Sequence, residues 1–397
     1  MQIKIKRKPI NKKKLLRGIY IAALMGLVFG TVSALSFAFL FNGLGKYMSA
    51  TTPTVIIQQE AEETQEIVPV SKDVNSSRLK RELYSIKGMV EKALVRFDIA
   101  KTESYVIAKG ESNVKMGIVF SKNSKIIYIL STPDSLRGKV FVDVTFHDGT
   151  TVEGRVIETD YISGLSVVRI DTSSINQSLY DSIPNIEFGN SNKIVAGDMV
   201  LAIGNINGTA ISSIVGNVAN VNETFSCLDG ELAMIGTDIP SQSTTNGFLF
   251  NSSGLLCGII SHGNDSTKAD VNMINAIGCS DLTATIYKLS EGIPFPYIGI
   301  RTRTINYMTS EIYGIPLGIF VSEVEMDSPA FEAGLRVGDI IVASGDDSLL
   351  TGRGLHTLLM GINLDKGSER TIRLRVLRGM DGAYEARIIQ VDPEERN

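Results

Sequence analysis

The sequence predicts a mainly β protein, a barrel or sandwich followed by a small α+β domain, behind an N-terminal membrane-spanning helix. Three observations lead there. Between residues 96 and 286, short runs rich in Val and Ile recur, each bounded by turn residues. Residues 291–393 alternate strand-like and helix-like runs. Residues 18–41 carry no charge at all.

Residues 1–17 hold eight basic residues (Lys4, Lys6, Arg7, Lys8, Lys12, Lys13, Lys14 and Arg17) and no acid. The 24 residues from Gly18 to Phe41 form a helix of roughly 36 Å, enough for the ~30 Å hydrocarbon layer. The basic flank places residues 1–17 in the cytoplasm and everything after Phe41 outside, a single-pass protein of the cell membrane. A cleaved signal peptide is the competing reading. Its apolar core is shorter, and no small-x-small site follows Phe41, so an uncleaved anchor is expected.

Residues 42–76 read as a polar, acidic linker. Over 77–95, Leu79, Leu83, Ile86, Val90 and Leu94 recur at three- and four-residue spacing, the pattern of an amphipathic helix. The strand candidates that follow are "MGIVFS", "KIIYILS", "VFVDVTFHDGTTVEGRVIETD", "LSVVRID", "DMVLAIGN", "SSIVGNVANV", "GFLFN" and "GLLCGIIS". Asp148-Gly149 between alternating runs predicts a tight hairpin with both residues at positive φ. Beyond 291, "YIGIRTRTIN", "GIFVSEV", "GDIIVASG" and "RTIRLRVLR" read as strands, and "YMTSEIYGIP" and "LHTLLMGI" as helices. "SPAFEAGL" is a short helix capped by Ser328, with Pro329 at its first position and Gly334 closing it.

Charge and composition exclude several functions. Without the eight N-terminal cations, 31 basic residues face 43 acidic ones, the wrong sign for a nucleic-acid-binding body. The three cysteines, Cys227, Cys257 and Cys279, cannot all pair, and Cys257 in its apolar run reads as a small buried hydrophobe. No His/Cys cluster has metal-ligand spacing, so neither metal nor cofactor is expected.

The residues Tyr297-Ile298-Gly299-Ile300 and "VSEVEMDSPAFEAGLRVGDIIVASG" resemble a PDZ domain of the HtrA/Deg type. "VAGDMVLAIGN", "SSIVGNV", "GTDIP" and "GFLFNSSGLLCGII" resemble the trypsin-like domain of the same family, in order and spacing. The resemblance covers roughly residues 75–393. It implies a chymotrypsin-like double β-barrel over 77–290 and a PDZ domain over 291–393. It also implies that the amides of Ile298, Gly299 and Ile300, beside Tyr297, capture a peptide's C-terminal carboxylate. The peptide is then expected to pair with the following strand, under a helix carrying Leu355, His356 and Leu359.

At the family's triad positions this sequence departs. Asp134 falls where the histidine belongs and Gly164 where the aspartate belongs. Counting back from the following strand puts Thr245 where the serine belongs, while counting forward from Asp238 gives Asn246, which implies a one-residue deletion in the loop. A hydroxyl nucleophile needs a base, and the base an orienting carboxylate. Of the three histidines, His147 reads as a solvated hairpin end, His262 as a surface loop residue and His356 as an edge of the peptide groove. Ser241 and Ser243 read as ordinary turn serines. The expectation is a membrane-anchored, extracytoplasmic pseudoprotease that binds peptide C-termini or unfolded segments, as a sensor or scaffold in envelope quality control. Its expected partners include further copies of itself or an active relative. The alternatives are an active serine endopeptidase and a structural envelope protein.

Overall fold

A computed structural model describes residues 75–98, 115–206, 211–242, 245–261, 273–364, 370–380 and 383–396. The predicted anchor, the linker up to residue 74, Ser243 and His262 lie outside the described residues. Among the described residues no helix is long and apolar enough to cross a membrane.

Helix α1 (Asn75–Ala93) enters the first barrel. The predicted helix over 77–95 runs two residues too far. Leu94 and Val95 begin β1 (Leu94–Asp98), where burial switches to alternation and the backbone pairs on both sides. With β2 (Lys115–Lys122), β3 (Ile126–Ser131), β4 (Phe141–Thr145), β5 (Thr151–Thr159) and β6 (Ser166–Asp171), it forms a closed barrel in the order β1-β2-β3-β6-β5-β4. Inward residues such as Phe97, Ile129, Val144 and Val168 fill it, which is what strands alternating at period two provide.

The β4–β5 connection corrects the tight-hairpin expectation. It is a five-residue loop closed by Phe146 N–H to the Thr150 carbonyl at 2.9 Å. Only Gly149 takes a positive φ, +88°. The Asp148 carboxylate instead accepts the Thr150 amide at 2.9 Å, holding a wider turn. His147 sits exposed there, 3.3 Å from the Ser182 hydroxyl of α2 (Gln177–Ser182).

The second barrel comprises β7 (Met199–Asn205), β8 (Ser212–Asn220), β9 (Thr224–Cys227), β10 (Gly230–Pro240), β11 (Asn246–Asn251), β12 (Leu256–Ile260) and β13 (Met273–Gly278). The ring β13-β12-β11-β7-β8-β10 closes through β10–β13 pairing, and β9 hangs from β10 as a hairpin outside it. Helix α3 (Cys279–Glu291) buries Leu282, Ile286 and Leu289 in the core shared by the barrels, and Gly292 at φ +62° ends it.

The last domain builds a sheet in the order β15-β16-β17-β19-β20 from β15 (Ile300–Ile305), β16 (Gly318–Val324), β17 (Ile340–Ser344), β19 (Ile372–Met380) and β20 (Ala383–Val391). The two-residue β18 (Asp347–Ser348) pairs with β17, and β14 (Pro296–Tyr297) pairs with β21 (Glu394–Glu395). Its helices are α4 (Tyr307–Tyr313), α5 (Pro329–Glu332) and α6 (Gly352–Met360). The Ser328 hydroxyl accepts the Phe331 amide at 3.2 Å, and Gly334 follows α5 at φ +85°. Both are as the sequence predicts.

Candidate functional site

Two sites were expected, one on the barrels and one on the PDZ-like domain. On the barrels, the three residues expected at the triad positions, Asp134, Gly164 and Thr245, each make hydrogen bonds with backbone groups. Asp134 follows β3 and adopts φ 53°. Its amide donates to the Gly164 carbonyl at 2.8 Å, and the Gly164 amide donates to the Asp160 carbonyl at 2.8 Å. Gly164 itself lies at φ +73°, and a Cβ there would stand 2.7 Å from the Asp134 backbone nitrogen. The space an orienting carboxylate would need is therefore filled by the chain of the neighbouring loop. The exposed Asp134 carboxylate is bound by Arg137, at 2.6 Å from Nη2 and 3.0 Å from Nε.

Thr245 is 1% exposed. Its hydroxyl donates to the Ile206 carbonyl at 2.8 Å and accepts the Gln242 amide at 2.8 Å. Its own amide donates to the Gln242 carbonyl at 3.0 Å. An oxyanion hole of the serine-protease kind uses the nucleophile's own backbone N–H. Here that donor is spent inside a turn. Gly247 has φ +152°, and a Cβ there would collide with the Ile203 carbonyl oxygen, so backbone conformation and packing both call for glycine.

In the second site, β14, the turn at Gly299 and the start of β15 aim three successive amides at one point. Gly299 has φ +84°, and a Cβ there would collide with Ser328, so only glycine holds this turn. The Tyr297 hydroxyl donates to Glu325 at 2.6 Å. Ile298, Ile300, Leu355 and Leu359 pack in one buried cluster. The loop does form a carboxylate cradle, but it does not stand open as expected. The Ile298 amide donates to Asp229 Oδ2 at 2.9 Å. The Gly299 and Ile300 amides donate to Oδ1 of the same carboxylate at 2.8 and 2.9 Å.

Residues 115–259 match the trypsin-like peptidase domain, and residues 296–384 match the PDZ domain. The serine protease Do-like HtrA of Bacillus subtilis is 28% identical over 307 residues, which is 72% of this chain and 65% of that protein. The putative serine protease HhoA of Synechocystis is 29% identical over 268 residues, 63% of this chain and 64% of that protein. This chain is a homologue of the HtrA/DegP serine proteases. In fold it is similar to the HtrA-type protease AlgW solved with a tripeptide, with a TM-score of 0.56 at 20% identity over 79% of this chain and 97% of that one. The chain thus spans just under two thirds of the length of the two sequence relatives.

This HtrA homologue ties its PDZ domain to its barrels through groups that the sequence reading passed over. Asp229 is one, and Glu231 is another. The Glu231 carboxylate accepts the Thr304 amide at 2.9 Å and the Thr304 hydroxyl. Arg353 of α6 forks onto Asp281 of α3, with Nε at 2.8 Å and Nη2 at 2.6 Å. Arg396, stacked over the Phe295 ring, reaches back to Asp160 in the loop that holds Gly164. Both members of that pair are nearly buried. His356 is 4% exposed, and among the described residues neither ring nitrogen has a hydrogen-bond partner. It packs against Gly230, where a Cβ would lie 2.7 Å from the His356 Cβ. One local signal for this hairpin was present: Asp229-Gly230 is an Asp-Gly pair between two apolar runs.

Burial dominates the electrostatics here. Desolvation outweighs the three amide donors and pushes the Asp229 carboxyl up to about 6. Burial likewise lowers the His356 imidazole, against the pull of Asp160 and Asp281. All three cysteine thiols are buried and free, and burial holds the Cys257 thiol at about 12. Among the described residues no group of His, Cys, Asp and Glu is arranged to hold a metal.

Proposed function

We propose that this chain is a membrane-anchored, extracytoplasmic HtrA-like protein without peptidase activity. Its PDZ domain recognises peptide C-termini or unfolded segments, as a sensor or scaffold. The observation that carries the reading is Thr245. A nucleophile must present its oxygen to solvent and to a base. This hydroxyl instead points inward and is held by backbone groups on both sides. The Arg137-bound Asp134 and the crowding around Gly164 support the same reading, as does the spent Thr245 amide. The carboxylate cradle at 298–300 supports peptide recognition, because its donors have the spacing that a terminal carboxylate needs.

The anchor is proposed from the uncharged run at 18–41 and its basic flank. Protease added to intact cells is expected to release a fragment cut within residues 42–74. A soluble mature protein beginning after Phe41 would replace the anchor with a signal peptide. For the chemistry, the full chain is incubated with unfolded casein and with a serine-directed phosphonate. Neither cleavage nor labelling is expected. Cleavage that vanishes in Thr245→Ala would establish the alternative, an active endopeptidase like the named relatives.

A further inference from the structure

The carboxylate cradle of the PDZ domain is already filled, and the occupant belongs to the same chain. The β9–β10 hairpin reaches out of the second barrel and lies along the free edge of β15. Asp229 donates its own amide to the Ile300 carbonyl at 2.7 Å, and Leu228 bridges Arg301 in antiparallel register. One step back, the Ser226 hydroxyl donates to the Thr302 carbonyl at 3.1 Å. On the far side of the turn, Glu231 takes the Thr304 amide, the next edge donor of β15. The Asp229 amide bond and the Leu228–Arg301 bridge are main-chain interactions that an added peptide strand would make with the edge, and the Ser226 and Glu231 side chains extend the contact along it.

The fit is built on both sides. Asp229 is 1% exposed and Glu231 3% exposed, so both acids are inside the interface. Asp229 adopts φ 61°, which turns its side chain into the cradle while the chain continues into β10. Gly230 and Gly352 let the hairpin lie against α6. A Cβ on Gly230 would stand 2.8 Å from the Gly352 carbonyl, and one on Gly352 would stand 2.5 Å from Glu231 Cγ. Two bulky residues at those positions would hold the hairpin out of the groove.

We propose that the 224–231 hairpin is a built-in ligand of the PDZ groove, with the Asp229 side chain standing in for a C-terminal carboxylate. The groove takes a peptide with a free α-carboxylate only when this hairpin leaves it. The proposal rests on the peptide-binding reading above, and adds that the ground state of the groove is closed by self-occupancy. The carboxylate of the incoming terminus and that of Asp229 compete for the same three amides.

The test titrates the full chain with a fluorescent heptapeptide ending in Val, as free acid and as C-terminal amide. The variants are Asp229→Gly, which suits the positive φ, and Asp229→Gly combined with Glu231→Gln. The free acid is expected to bind the double variant at least tenfold more tightly than the unmodified chain, with the single variant between them. The amide is expected to show no gain. Hydrogen exchange at residues 298–300, slow in the unmodified chain, should speed up in both variants and slow again when the free acid is added. Equal affinity for all three proteins would overturn self-occupancy while leaving peptide binding in place. A gain shared by the amide would also overturn it, since loosening rather than carboxylate competition would then explain the effect. No binding by any of the three proteins would remove the peptide-binding reading and this proposal with it.

Discussion

Gly164 offers the sharpest test of the crowding between its loop and the loop of Asp134. Replacing it with Ala forces a β-carbon into a left-handed conformation at φ +73°, where it would stand 2.7 Å from a backbone nitrogen and 2.8 Å from the Asp134 carboxylate. The conformational part costs about 1–2 kcal/mol. Overpacking against backbone that cannot swing aside adds about 1–3 kcal/mol. Gly138 provides the control, because it has nearly the same φ, +72°, yet among the described residues a Cβ there meets nothing within 4 Å. Gly138→Ala should therefore lose only the conformational part. Urea denaturation of both variants, compared at equal slope, isolates the packing contribution as their difference. Equal losses would refute the claim that the 132–136 loop fills the acid's place. If the claim holds, Asp134→His, Gly164→Asp and Thr245→Ser together should not hydrolyse casein. The new acid would displace the loop that must carry the new base.

Arg396→Met should destabilise the chain by about 3–5 kcal/mol, because it leaves Asp160 buried beside a lost guanidinium; a denaturation midpoint unchanged from the unmodified chain would contradict this. Gly299→Ala should deprotect the 298–300 amides in hydrogen exchange, since its Cβ would collide with Ser328. The thiols of Cys227, Cys257 and Cys279 should resist a thiol reagent until denaturant is added, and reductant should leave the melting temperature unchanged. For pH, Asp229 is raised in place to about 6, from an ordinary 3.8. Its contribution of about 3 kcal/mol is therefore present below pH 4 and lost as pH rises through 6. His356 is lowered, so its contribution runs the other way, present above 6.5 and lost on acidification. Both feel Arg396, and His356 also faces Asp160 and Asp281. Asp229→Asn removes the first effect only, so between pH 7.5 and 4.5 the variant should lose stability relative to the unmodified chain. Parallel stability profiles would count against a buried, ionisable Asp229.

How much of this was legible depended on the range of the interaction that decided each feature. Strands such as Ile126–Ser131 and Met199–Asn205 announce themselves, because a buried strand needs a run of Val, Ile and Leu and little else. The end of α1 was misread because Leu94 keeps the helical spacing, while its pairing with Ile118 belongs to a strand more than twenty residues away. Asp134, Gly164 and Thr245 were expected at the triad positions from the resemblance to the family's patterns. Their hydrogen bonds to Gly164, Asp160 and Ile206 were not, since these join loops that only the folded barrels bring together.

The groove is the extreme case. Its donors at 298–300 could be named because Tyr297-Ile298-Gly299-Ile300 resembles a PDZ carboxylate loop, a motif local in sequence. Its occupant could not, because Asp229 lies about seventy residues earlier and looks like any Asp-Gly turn. Nothing in that dipeptide says that its carboxylate will be buried. What decides it is the pairing of Leu228 with Arg301, and the absence of side chains at Gly230 and Gly352. Burying a carboxylate is costly unless donors replace its water. Three amides that would otherwise face solvent supply them, so the cradle and the acid each satisfy what the other would leave unpaired. A barrel hairpin and a PDZ edge that meet this way constrain each other's sequences, though neither shows it alone. Any peptide that opens the groove must then replace not one contact but the whole set from Ser226 to Glu231.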